Sequence, residues 1–526
     1  MANPCILAID LGTSACKVAL VGIEGTVVAH ETEGYPLALL PGGGAEQDPE
    51  AWWAAIRAAT ARLLAGGAAA PEDVQAIGCT AQWSGTVPVD AQGRALSKAI
   101  IWMDARGARH VQRATGGFPS IEGYGAGKLL RWLRKTGGIP GGSGKDSIAH
   151  ILYLQAERKE LYDRTACFLE PKDYLNARLT GSLAATFDSI ALHWVTDNRD
   201  ISQVRYDRGL LAAAGVERAK LPRLVRSTDI VGELSEEAAR DLSLRPGIPV
   251  AGGSPDVQSA AVGSGATRDF QAHLYLGTSS WLTCHVPFKK TDIAHNMATL
   301  PSAIPGRYFV ANEQETAGAC LTFLRDNLLY HEDALGTGPA PEDAYRLLDE
   351  AAAQAPPGAG GVLFTPWLYG ERTPVEDHLV RAGFYNLSLE TRRPQLVRAV
   401  LEGVALNSRW LLQAMDGFTG RALDPIRCIG GGARSAIWCQ IQADVLGRRI
   451  EQAEAPLQAN VRGAATIAAV ALGRTSFEEM AERTRVAKVF EPREETRAVY
   501  ERAFSAYREI YRQNRRIYAR LNGRQH

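Results

Sequence analysis

The sequence predicts an α/β protein built from two copies of one plan. Short apolar strand patterns alternate with amphipathic helix patterns along most of the chain, which is the pattern of α/β architecture. A strand, a Gly-Thr-Ser turn and a returning strand occur near the start and again in the middle. Gly12 and Gly277 lie 265 residues apart, too far for a solenoid repeat and right for a duplicated domain; chance recurrence of a tripeptide is the plain alternative. A chain of 526 residues also exceeds one ordinary core and implies roughly two to four domains.

The elements follow in order. Cys5-Ile-Leu-Ala-Ile9 reads as a buried strand ending on Asp10, then a Leu11-Gly12-Thr13-Ser14 turn and a strand from Lys17 to Val21. Glu24-Gly25 turns into a third strand from Thr26 to Ala29. Asp48 as N-cap and Pro49 at the first helical position open a helix through Trp52, Trp53, Ile56 and Leu63. The Gly/Pro-rich stretch 137–144 reads as a surface loop. Its Gly144-Lys145 looks like the end of a P-loop, but Ile139 and Asp146 stand where that motif needs Gly and Ser/Thr. The strand from Ile248 to Ala251 leads into Gly252-Gly253, with Ser254 expected as N-cap and Pro255 as the first helical residue. His273–Leu276 and Trp281–Cys284 are the strands that flank Gly277-Thr278-Ser279-Ser280. A further strand ends at Cys428-Ile429, passes three glycines and enters a helix from Ala436 to Leu446. The last fifty residues are mostly one helix with an aromatic stripe, Tyr500, Phe504, Tyr507, Tyr511 and Tyr518, and seven arginines between 497 and 520. It is expected to dock through the stripe and solvate its basic face, rather than act as a nucleic-acid arm. The expected domains are 1–252, 253–480 and the helical extension 481–526.

Composition narrows the function. Lys+Arg and Asp+Glu are equal at 58 each, which argues against a broad basic surface for nucleic acid or anionic membrane. The eight cysteines form no C-x-x-C, so neither a disulfide scaffold nor a zinc site is expected. Met-Ala-Asn-Pro-Cys lacks a basic leader region, and the longest apolar stretch, 464–472, is too short to span a bilayer. A reduced, cytoplasmic protein is the expectation. Glycine is in surplus, 52 of 526, against a background of roughly 7%, so specific turns should hold it. No H-x-x-x-H pair and no G-x-S-x-G elbow suggests a hydrolase.

Those turns carry the candidate chemistry. After Asp10, Gly12, Thr13 and Ser14 offer a close backbone, free N–H groups and hydroxyls to phosphate oxygens, with the cation of Lys17 nearby. Asp10 can hold Mg²⁺, chiefly through water; an ordinary turn with a capping Asp is the alternative. Gly277 and Thr278 supply a second donor set, so two facing hairpins could grip a polyphosphate by directed amides rather than bulk charge. Gly431, Gly432 and Ala433, at a strand–helix junction, leave room for a flat ring against the backbone. Asp256, in the first turn of a helix whose dipole should keep it ionised, could accept a substrate hydroxyl proton during phosphoryl transfer. An Asp there for stability alone is the competing reading.

With these residues in view, the chain resembles the FGGY carbohydrate kinases, most closely the xylulokinases. The likeness rests on Ala8-Ile-Asp-Leu-Gly-Thr-Ser14, Ala45-Glu-Gln-Asp-Pro49, Ile101-Trp-Met-Asp-Ala-Arg106, Pro171-Lys-Asp-Tyr-Leu175, Gly370-Glu-Arg-Thr-Pro374, the run 395–403 and Ile429-Gly-Gly-Gly-Ala433. The resemblance implies a duplicated actin/hexokinase-like (ribonuclease H-like) ATPase fold that transfers phosphate from Mg²⁺-ATP to a sugar or polyol, the foremost candidate being D-xylulose to D-xylulose 5-phosphate. Ribulose, L-xylulose, erythritol or glycerol are alternative substrates, and a homodimer is compatible with it. By position Asp256 looks like the catalytic base, Asp10 like the metal-associated acid, and Gly12, Thr13, Gly277 and Thr278 like the phosphate loops. Gly431, Gly432 and Ala433 look like the nucleotide turn. Two departures stand out. Gln82 is followed by Trp83-Ser84 where xylulokinases carry Met-His and glycerol kinases Arg-Glu, so the sugar lining differs from both. Asn386 replaces a signature Gly, and Asn tolerates the left-handed conformation. The rival class is a non-catalytic assembly or chaperone-like protein on the same fold, for which the sequence shows no peptide-binding or polymerising signature.

Overall fold

The computed structural model describes residues 4–331, 333–336 and 338–523. The first three residues, read for a leader, and the last three of the C-terminal extension lie outside that set.

The opening hairpin forms as its pattern predicts. Cys5–Leu11 (β1) and Ala15–Gly22 (β2) are buried over most of their length because they lie inside a sheet covered on both faces. Val27–Gly34 (β3) alternates half-buried and exposed residues, as an edge strand with one wet face does. Pro49–Ala65 (α1) starts where expected, with Asp48 Oδ1 accepting the Glu50 N–H at 2.9 Å. Val74–Ala81 (β4), Pro171–Thr180 (α2), Ile230–Glu233 (β5), Pro249–Ala251 (β6) and Ser254–Pro255 (β7) lead to helix Asp256–Gly263 (α3). The sheet runs β5-β6-β4-β1-β2-β3, and β7 also pairs with β4.

The second half repeats the plan. Ala272–Leu276 (β8), Ser280–Thr283 (β9), Arg393–Thr419 (α4), Ile426–Ile429 (β10), Ala436–Leu446 (α5), Ile450–Ala453 (β11), Ala459–Ala471 (α6), Val486–Phe490 (β12) and Glu494–Asn522 (α7) follow in order. Its sheet runs β9-β8-β10-β11-β12, with pairings antiparallel, parallel, parallel, antiparallel. The path β2-β1-β4-β6-β5 of the first sheet gives the same succession. The two Gly-Thr-Ser turns occupy the same place in each, between the first two strands of the repeat.

Between the sheets, α3 and α6 cross at very short range. A Cβ on Gly263 would fall 1.8 Å from the Ala459 carbonyl oxygen, and one on Gly463 would fall 1.9 Å from that of Ser259. Only hydrogen fits at either place. The apolar stretch 464–472 is thus mostly an internal helix, whose Ala464, Ala465 and Ala468 pack on Ile6, Ala8, Val21 and Ala76 of the first sheet. Helix α7 docks through its stripe: Tyr500, Phe504, Tyr507 and Tyr511 are buried, and Tyr507 and Tyr511 pack on Trp367 and Trp410. Asn386 has φ +63°, so it does hold the left-handed turn.

Two local expectations fail. Ser254 is not an N-cap: it pairs with Thr80 in the sheet, its hydroxyl donates to the Asp188 carboxylate, and α3 starts one residue after Pro255. The strand continues past Gly253 because Gly253, at φ +71°, lets the backbone lie against the Cys79 carbonyl, 2.1 Å from where a Cβ would stand. The 137–144 stretch is a loop, but it is on the surface only at its tip, where Ser143 is exposed. Gly138 packs under the Trp194 ring, and the adjoining Asp146 carboxylate accepts from the Trp194 indole at 2.8 Å. All eight cysteines are buried and unpaired, and no described helix is long and apolar enough to cross a membrane.

Candidate active site

Both Gly-Thr-Ser turns close on themselves and leave the same donors free. In the first, the Gly12 N–H bonds the Ala15 carbonyl at 3.0 Å and the Thr13 carbonyl accepts Gln47 Nε2 at 2.6 Å. In the second, the Gly277 N–H bonds the Ser279 carbonyl at 3.0 Å, and the Gly277 and Thr278 carbonyls accept the N–H groups of Gly318 and Ala317. Among the described residues, the N–H groups of Thr13, Ser14, Thr278 and Ser279 have no protein acceptor. Successive unpaired amides in a turn form a concavity for an anion.

Asp10 ends β1 at the first turn. Burial raises its pKa, while Lys17 and a 3.5 Å hydrogen bond from Asn460 Nδ2 pull it down. Lys17 Nζ reaches the second half of the chain, donating to the Leu457 carbonyl at 2.5 Å. Asp256 stands at the first position of α3, where its Oδ1 accepts its neighbour's N–H, from Val257, at 2.8 Å. Its pKa is raised to about 7, first by burial and then by the negative charge of Asp10. The expectation that the helix dipole keeps Asp256 fully ionised is therefore corrected. One amide and a helix of two turns do not offset desolvation beside a second carboxylate.

The backbone behind Asp256 is fixed by buried charge. Lys172 Nζ donates to the Gly252 carbonyl at 2.8 Å and to Thr186 Oγ1 at 3.1 Å, and pairs with the Asp173 carboxylate. Asn176 Nδ2 donates to the same Gly252 carbonyl at 2.8 Å. Pro171-Lys-Asp-Tyr thus holds the glycine pair that aims Asp256.

Two family descriptions account for most of the chain: the N-terminal domain of the FGGY family of carbohydrate kinases over residues 5–263, and its C-terminal domain over 272–472. The chain belongs to the FGGY family of carbohydrate kinases. It is 30% identical to the xylulose kinase of Escherichia coli strain K12 over 514 residues, covering 96% of this chain and 98% of that one. It is 29% identical to the xylulose kinase of Staphylococcus epidermidis strain RP62A over 534 residues, covering 99% of each. The crystal structure of gluconate kinase from Lactobacillus acidophilus superposes with a TM-score of 0.84 at 24% identity, over 98% of this chain and 99% of that one, a likeness of fold. The protein is a sugar phosphotransferase.

The rest of this FGGY kinase's predicted site divides in two. In the segment expected to line the sugar, the side-chain polar groups are bound within the protein. Gln82 Nε2 donates to Gln47 Oε1 at 2.8 Å and its Oε1 accepts from Thr13 Oγ1 at 3.5 Å. The Trp83 indole N–H donates to the Ser189 carbonyl at 3.0 Å, and Ser84 Oγ to the Lys145 carbonyl at 2.8 Å. Trp83 is partly buried and its ring packs against the hydrophobic cluster that includes Trp132 and Trp194. In the nucleotide turn Gly431 is exposed, Gly432 sits on Trp438 and Leu276, and the Ala433 side chain is in the core while its carbonyl accepts Gln452 Nε2 at 2.5 Å. Only the backbone of this turn can meet a ligand.

Sequence reasoning missed a charged cluster whose Glu313 acts on Asp256. Arg372 Nε pairs with Glu315 at 2.6 Å and its Nη1 with Glu313. Lys145, just after the 137–144 loop, stands 5.4 Å over the Tyr369 ring and close enough to Arg372, Glu315 and Glu313 for their charges to act on it. Arg372 lies in the quoted Gly370-Glu-Arg-Thr-Pro374 motif, which was the available signal. Nothing local in the sequence marks Glu313.

Proposed function

We propose that the chain transfers the γ-phosphate of ATP to a hydroxyl of a small ketose or polyol, with D-xylulose as the preferred acceptor and D-xylulose 5-phosphate as product. One observation carries the mechanism. Asp256, with a pKa raised to about 7, feels the charge of Asp10 at the first turn, and both carboxylates act on Tyr275 beside the second turn; each turn leaves two amides free. In the reaction the sugar oxygen bonds to the γ-phosphorus and the bond to the β–γ bridging oxygen breaks. ADP leaves with that electron pair, and the hydroxyl proton passes to Asp256. Thr13, Ser14, Thr278 and Ser279 would orient the phosphates through backbone N–H groups, and Gly431 and Gly432 would lie along the nucleotide.

The donor set suits Mg²⁺. Asp10 is a hard oxygen donor beside the phosphate turn, and no described group of three or more His, Cys, Asp or Glu could cage a metal. That fits an ion held mainly by phosphate oxygens and water. Asp10 would hold it, and when bound it would neutralise phosphate charge.

The acceptor reading is supported by the xylulose kinases among the relatives and by the acidic surroundings of Asp256, which oppose a second negative charge on the sugar. Measuring ATP consumption with D-xylulose, ribulose, erythritol, glycerol and gluconate tests it. The highest kcat/KM is expected for D-xylulose. A preference for gluconate would overturn the acceptor, and indifference to every sugar would overturn the kinase.

A further inference from the structure

Tyr275 lies on β8 one residue before the last, directly across from Trp281 on β9. Their rings stack with centroids 4.0 Å apart and 9° between planes. Tyr275 also packs against the cluster formed by Ala260 of α3, Ile429, Ala453 and Ala459 of α6. Held on these sides, the ring end reaches over the second phosphate turn. A Cβ on Gly277 would stand 2.3 Å from the Tyr275 hydroxyl oxygen, so Gly277 makes room for the phenol as well as for the turn. Among the described residues no protein group hydrogen-bonds this hydroxyl. The charges that reach it are those of Asp256 and Asp10.

A half-buried phenol without a protein partner, held over a turn with free amides and within reach of two carboxylate charges, has no structural reason to be tyrosine rather than phenylalanine. The stack and the packing need only the ring. We propose that the Tyr275 hydroxyl donates a hydrogen bond to the transferring phosphoryl group, adding one directed donor to the amides of the two turns. Burial and the two carboxylates raise its pKa to about 12, so the hydroxyl keeps its proton and acts as a donor throughout the working range. No proton is transferred from it; it stabilises charge on the equatorial oxygens while the bonds to phosphorus exchange. This inference rests on the kinase reading above.

The test is Tyr275→Phe, which keeps the ring, the Trp281 stack and the thermal melt. Its kcat is expected to fall on the order of 10²-fold, the usual size for loss of one oriented donor, with the sugar KM unchanged. Calorimetry with ADP should give wild-type affinity, because the diphosphate lacks the contacted group. A kcat within twofold of wild type, or above it, overturns the assignment, as does an equal loss of ADP affinity. If wild-type protein shows no sugar-stimulated ATP consumption, the kinase reading fails instead. In that case weaker binding of a non-hydrolysable ATP analogue to the variant, with ADP unaffected, still reports the contact.

Discussion

A carboxylate that must take a proton from an alcohol works best when its own pKa lies near the working pH. Asp256 meets that condition at a cost to stability. Its pKa of about 7 in the fold, against roughly 3.9 in an open chain, means the native state binds a proton that the unfolded state has lost between these values. Stability from this group is full below about pH 4 and falls as pH rises through 7. Asp256→Asn should therefore be more stable than wild type at pH 8 by roughly 2–4 kcal/mol, with the gain gone at pH 4. Melting both proteins at the two pH values checks the sign. The same variant should lose roughly 10²–10⁴-fold in kcat, and wild-type kcat/KM should climb with pH through about 7. A stable, active Asn variant would remove Asp256 from the chemistry. The place of this residue in the first turn of a helix was legible in Gly252-Gly253-Ser254-Pro255-Asp256, but its protonation was not. Asp10, 246 residues away in sequence, sets part of it, and no local pattern reports such a neighbour.

At the scale of elements, α3 and α6 join the halves through backbone contact at Gly263 and Gly463. Gly463→Ala would press a methyl into the Ser259 carbonyl, 1.9 Å away, and that carbonyl belongs to the helix that carries Asp256. Overpacking should cost roughly 1–3 kcal/mol and, by tilting α3, lower kcat as well. Gly417→Ala is the matched control. It lies in α4 with open space around the added carbon, and Ala there should stabilise by roughly 0.5–1 kcal/mol. If both variants melt alike, close helix contact is not what Gly463 provides. These elements show how far sequence pattern reaches. The starts of α1 and α5 and the stripe of α7 were legible because caps and periodicity are local signals. Ser254 was misread because Ser-Pro suits an N-cap equally well as a strand end. Only the pairing of Ser254 with Thr80 and its bond to Asp188 decide between them. The loop at 137–144 was partly misread because glycine content signals a turn and says nothing of what packs on it.

Across the whole molecule, the proposed kinase reading lets a chain with no net charge bind a polyanion: each half would contribute one turn with free amides, with charge placed locally. Asp256 also feels a charge from the second half. Glu313 is one of the groups that raise the pKa of Asp256, and it is shared with Arg372 and Lys145. Lys145 comes from the first half and Glu313 from the second, and the charge of Lys145 is tied to Asp256 only through its neighbour Glu313. Replacing Glu313 by Gln removes a negative charge, which should lower the pKa of Asp256 and move the acid limb of the kcat/KM profile to lower pH. Replacing Lys145 by Met removes a compensating positive charge and should move the same limb upward. Neither residue donates to the phosphates in this mechanism, so the shifts should persist at saturating ATP. Opposite displacements of one limb are a signature that loosened packing does not produce, since a structural defect would depress the whole profile. Displacements in the same direction, or none, would mean that the ionic cluster fastens the halves together without tuning Asp256.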